Sequence, residues 1–168
     1  MTKQSGFNLL EVMIALVVLS VGLLGLAAMQ LNSLKLNQSA YMRSQATLLA
    51  YDIIDRMRAN REAVSRGSYF NEQGVTHSHC MSYSGPVSGC SAAEMAVNDL
   101  AEWQTRLGDE LANGAGRICR SNLAGDQPGQ PDCDANDSAN PVVVYIWWHD
   151  GRGDRTSPIT QFAVSAQL

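Results

Sequence analysis

A single carboxylate, Glu11, stands at the mouth of an apolar run from Val12 to Leu31 that contains no other charged residue. A carboxylate within a transmembrane helix costs about 2.5–3.5 kcal/mol and calls for a counter-charge. At headgroup depth the same residue would only complement the positive end of the helix dipole. Four cysteines, Cys80, Cys90, Cys119 and Cys133, lie outside this run. An even number outside the apolar segment fits disulfides formed in an oxidising compartment. Of the three connectivities, Cys80–Cys90 with Cys119–Cys133 is the expectation, because each loop is short; a bridge closing such a loop adds about 2–4 kcal/mol.

Other candidate chemistry is thinner. His77-Ser-His79-Cys80 looks like a fragment of a metal site. Tetrahedral zinc needs further ligands, however, and Cys80 is better used in a disulfide, so the stretch reads as a solvated loop and no metal is expected there. Asp132, Asp134 and Asn136 alternate oxygen ligands as calcium loops do, but the glycine at position six and the terminal glutamate are missing. Arg152-Gly153-Asp154 is a tripeptide some receptors recognise, and in a glycine-rich stretch it reads first as a turn. No nucleophile beside a base, phosphate-cradling glycine loop or zinc helix motif is evident, so neither an enzyme nor a cofactor is expected.

The elements that must position these residues begin with the apolar run. Twenty helical residues span about 30 Å, which matches the hydrocarbon of a bilayer and exceeds the roughly 7–15-residue core of a cleaved signal peptide. Lys3 precedes the run and the next basic residue is Lys35, so the expected topology is N-terminus inside with the remainder exported. An ordinary signal peptide cut after Gly25-Leu26-Ala27 is the rival reading. Gly22 and Gly25 are expected sites of local melting or close helix contact.

Beyond the run, Leu31, Leu34, Tyr41, Leu48, Leu49, Ile53 and Met57 recur at helical spacing, and no proline occurs before Pro86. One helix from about Phe7 to about Ala63 is expected, its outer half amphipathic. A second helix is expected over Ala92 to Asn113 on Ala96, Leu100, Trp103, Leu107 and Leu111. Arg117-Ile118-Cys119 reads as a short strand and Val142 to Trp148 as a strong one. A polar turn from Asp150 then leads to a return strand placing Phe162, Val164, Ala166 and Leu168 on one face. The predicted class is α+β: a long N-terminal helix, half transmembrane and half amphipathic, packed on a small antiparallel sheet with a second short helix.

The 168 residues suit one ordinary domain, 45% apolar and only 17% charged, with the charge deficit concentrated in the first fifty positions. A net charge of −4 offers no basic field for nucleic acid. A local patch of Arg117, Arg120, Arg152 and Arg155 is the remaining route to it.

A short basic leader ending in Gly6, the aromatic Phe7, Glu11 four residues later and a long apolar helix together resemble a type IV prepilin. The string Leu10 to Gln30 resembles the minor pilins of that family. The resemblance implies cleavage between Gly6 and Phe7 by a prepilin peptidase, N-methylation of Phe7, and pairing of Glu11 with a neighbouring subunit's terminal amine during assembly. Two charges that are each expensive in a low-dielectric bundle become tolerable together.

It also implies a plan of leader 1–6, transmembrane and assembly helix 7–31, amphipathic half 32–64 and globular periplasmic or extracellular head 65–168. The implied partners are other minor pilins, the major pilin, the inner-membrane assembly platform and a pilus-tip adhesin. The implied location is the bacterial inner membrane and then the surface pilus. A type II secretion pseudopilin shares this N-terminus, and a tethered periplasmic binding protein is the alternative from another class.

Overall fold

The computed structural model describes residues 8–70, 73–80, 89–124, 126–133, 139–150 and 158–168. Among them the chain runs α1 (Leu9–Ala59), α2 (Arg61–Ser65), a 3-10 turn (Ser68–Phe70), α3 (Ala92–Glu110), β1 (Ala115–Arg120), β2 (Val142–His149) and β3 (Ile159–Ala166). It divides into two compact units, Met1–Ala40 and Tyr41–Leu168.

The described part of the first unit is helical from Leu9 onward, and its large apolar side chains from Leu9 to Leu36 are exposed. By length and composition this helix is able to cross a membrane. The Ser20 hydroxyl donates to the Leu16 carbonyl at 2.6 Å, which satisfies the run's only hydroxyl within the helix itself.

In the second unit, α1 buries Met42, Ala46, Leu49, Ala50, Ile53, Ile54 and Met57, a face with the three- and four-residue spacing of a helix. Tyr41 and Leu48, expected on the buried face, are 61% and 63% exposed. The core takes Met42, Ala46, Ala50 and Ile54 instead, because the head covers one narrow stripe and that stripe passes beside the larger residues. The helix also ends earlier than expected. At Asn60 the backbone leaves helical geometry at φ −122°, ψ 57°, and the Asn60 amide donates to the Ala92 carbonyl at 2.8 Å. The break at Asn60 thus separates α1 from α2, and Ala63 is helical in the second of these.

α3 begins with a capping box: the Glu94 backbone N–H donates to Ser91 Oγ, and the Glu94 carboxylate accepts from the Ser91 N–H at 2.9 Å. Its buried residues include Ala96, Leu100, Trp103 and Leu107, and its C-cap Leu111 is buried as well. The helix closes at Glu110 rather than Asn113, where the backbone adopts a left-handed φ of 52°.

The sheet is antiparallel in the order β1-β2-β3, with Ile118 opposite Val144 and Val144 opposite Val164. β2 is central and apolar on both faces. Val142, Val144, Ile146 and Trp148 join the core shared with α1 and α3, along with Phe162, Val164 and Leu168 at its edge. Val143 and Tyr145 point the other way, into a smaller cluster with Cys119, Cys133 and Trp147. The loop after β1 therefore covers the second face, and this explains a strand that reads as a continuous apolar run.

Candidate assembly segment and the charged seam of the head

Glu11 occupies the first turn of α1, its backbone N–H donating to the Asn8 carbonyl at 2.9 Å. Its neighbours Leu10, Val12, Ile14 and Leu16 are exposed apolar side chains. Gly6 and Phe7, the expected processing residues, lie outside the described residues. Cβ atoms added at Gly22 or Gly25 would meet nothing within 4 Å, so in this unit both positions leave room for a close neighbour.

Within the head, charge is organised between α1 and α3. Arg56 forms a bidentate pair with Glu102, at 2.8 Å and 3.1 Å, and reaches Asp99 at 3.2 Å and Asp52 at 3.3 Å. Arg106 from α3 returns to Asp52 at 3.0 Å. The Tyr69 hydroxyl donates to the other oxygen of Asp99 at 2.7 Å. The side-chain hydrogen bond to Glu102 holds the Arg56 guanidinium firmly charged, and the same bond holds Glu102 below the usual carboxylate range. Burial, and then the Asp99 bond, push the Tyr69 hydroxyl up. Beneath this seam the Trp103 indole donates to the Leu49 carbonyl of α1 at 3.0 Å, a buried bond. Sequence reasoning missed the seam. Asp52 and Arg56 are a visible i,i+4 pair, but the partners across the seam come from another helix.

The segment before the first disulfide is strapped to α3. Gly74 donates to Gln104 at 3.0 Å, Val75 to the Val97 carbonyl at 3.1 Å, and His77 to Asn98 at 3.0 Å. Gly74 lies so close that an added Cβ would fall 2.4 Å from Ala101 Cα, so only glycine fits there.

The structure joins Cys80 to Cys90 and Cys119 to Cys133, with Cα separations of 5.0 Å and 5.7 Å. The second bridge ties down the loop covering Tyr145, whose hydroxyl donates to Asp126 at 2.7 Å. Burial pushes that hydroxyl up to about 12. Asp126 also accepts from the Asp132 backbone at 2.7 Å, so it closes the loop. Of the calcium candidates Asp132 is described, while Asp134 and Asn136 lie outside the described residues.

The expected arginine patch divides. Arg117 and Arg120 are three positions apart on β1 and face opposite sides of the sheet. Arg120 donates to the Asn140 carbonyl at 2.8 Å and stands 5.7 Å over the Phe70 ring. Arg152 and Arg155, with the rest of the 152–154 tripeptide, lie outside the described residues.

Comparison with known proteins gives two family matches. Residues 1–27 match the prokaryotic N-terminal methylation motif, and residues 28–101 match the Tt1218-like family, described as type IV pilin Tt1218. No curated protein and no solved structure matches the chain. The long apolar helix, the further helix and the three-stranded antiparallel sheet agree with a type IV pilin fold. The methylation motif on residues 1–27 and the type IV pilin match on residues 28–101 that follows it support a component of a pilus or pseudopilus; the motif implies processing by a prepilin peptidase and assembly with other pilins, and with the apolar helix it suggests a membrane-anchored subunit.

Proposed function

We propose that the chain is a minor pilin of a bacterial type IV pilus, of the PilV kind. In this reading it helps to initiate pilus assembly, stands at the pilus tip, and through the fibre serves twitching motility and adhesion. Residues 1–6 are removed, Phe7 becomes the methylated N-terminus, residues 7–31 hold the subunit in the inner membrane, and the head faces the periplasm until assembly. The partners are the major pilin, other minor pilins, the inner-membrane platform and a tip adhesin.

One observation carries the reading: Glu11 is the lone charge of the first helical turn, amid exposed apolar side chains and within the methylation motif. Such a carboxylate is tolerable in a bilayer or a fibre when a cation meets it, and a neighbouring subunit's terminal amine is the cation that cleavage after Gly6 creates.

Mass spectrometry of sheared pili and of inner membranes tests this. The expected result is a methylated Phe7 terminus in both fractions; an N-terminus at Ala28, or a retained leader in assembled fibres, ends the proposal. Deletion distinguishes the machines. Loss of pili with exported enzymes unaffected marks a pilus subunit, whereas loss of enzyme export with pili intact marks a pseudopilin.

A further inference from the structure

His77, His79 and Glu94 come together at the N-terminal end of α3. Each offers one ligand atom, and the three atoms lie within 4.8 Å of one another. His79 Nε2 stands 3.4 Å from Glu94 Oε1. Ligands bound to zinc at about 2.0–2.1 Å in a tetrahedron are about 3.4 Å apart, so this edge already has the required length. The two imidazole rings have centroids 5.4 Å apart. His77 and Glu94 are half-buried and the His79 side chain is 40% exposed, so the group is open enough for an ion to enter.

We propose that these three side chains form a binding site for one divalent transition-metal ion of the zinc class, with the fourth position open to water. Two imidazoles and a carboxylate suit zinc, copper or nickel and do not suit magnesium, which prefers an all-oxygen shell.

The surroundings supply the rigidity such a site requires. Glu94 Oε2 accepts from both the backbone N–H and the hydroxyl of Ser91, at 2.9 Å and 2.7 Å, which fixes the carboxylate and leaves Oε1 directed at His79. The His77 backbone is bonded to Asn98, and the Cys80 N–H closes a turn onto the His77 carbonyl at 3.0 Å. The Cys80–Cys90 bridge then anchors that turn one residue before the cap of α3. A second grouping of His79 with Cys80 and Cys90 also exists, but both sulfurs are bound to each other and supply no thiolate. Sequence spacing hides the site because its third ligand comes from the helix beyond the disulfide.

Calorimetric titration of zinc chloride into the full-length, oxidised, chelator-stripped protein in detergent tests the site. One zinc per chain is expected, together with a rise in the melting temperature and no response to magnesium. His77→Gln and His79→Gln should each weaken binding at least tenfold. Glu94→Gln should do the same while retaining the helix cap, since glutamine also serves in a capping box. His149→Gln should bind as the unaltered protein does. Absence of saturable zinc uptake by the unaltered protein, or zinc binding by His79→Gln at full strength, would overturn the proposal. Circular dichroism of each variant shows whether weakened binding occurs in a folded head.

Discussion

The two units use apolar side chains for opposite purposes. From Leu9 to Leu36 the large apolar residues of α1 are exposed, whereas from Met42 to Met57 the same helix buries a stripe of comparable residues in the head's own core. Leucine at position 24 is 71% exposed, while leucine at position 49 is fully buried beneath Trp103. The first unit leaves its hydrophobic surface for lipid or for other subunits. The second is satisfied by its own sheet and second helix. Composition is therefore a poor guide to stability in this chain: among the described residues, only the apolar side chains of the second unit are buried in a core, and those of the first are free to meet lipid or another subunit.

Substitutions should separate these roles. On assembly, the largest effect is expected from Glu11→Ala, which under the proposed pairing leaves a partner's amine uncompensated at about 2.5–3.5 kcal/mol, roughly a hundredfold at equilibrium. Pilus number counted by electron microscopy should collapse while head melting stays unchanged; normal fibre numbers would refute the pairing. Trp103→Ala should act the other way. Removing this fully buried ring and its bond to Leu49 should cost about 3–5 kcal/mol in denaturant unfolding, with membrane insertion intact.

A smaller effect is expected from alkali. The Tyr145 hydroxyl is raised from 10.0 to about 12, so its contribution is fully present below pH 10 and is lost as pH rises toward 12, because the unfolded chain ionises first. The slope of stability over that range should be shallower in Tyr145→Phe, and an unchanged slope would mean that the hydroxyl is not held by the fold. The least effect is expected from Leu24→Ala. Head stability should stay within about 0.5 kcal/mol of the unaltered chain, and a larger loss would show that this residue is packed against the protein itself.

Much of the architecture was legible because it depends on local periodicity. The second helix announced itself through Ala96, Leu100, Trp103 and Leu107, and β2 through its β-branched and aromatic run. The charged seam was not legible, since Arg56 meets Glu102 and Asp99 across 46 and 43 positions of sequence. The same holds for the third member of the His77, His79 and Glu94 group. The choice of Met42 and Ala46 over Tyr41 and Leu48 for the core escaped too, because periodicity gives a face and not how much of it a neighbour covers.

The sequence by itself determined that this chain carries a membrane-length apolar run with one acid at its mouth, because length, hydropathy and charge spacing act along the chain without reference to a fold. Tertiary structure decided which stripe of that helix is buried, which arginine is surrounded by carboxylates and where two histidines meet a glutamate. Those outcomes depend on distances between elements far apart in sequence, and only packing the head sets those distances.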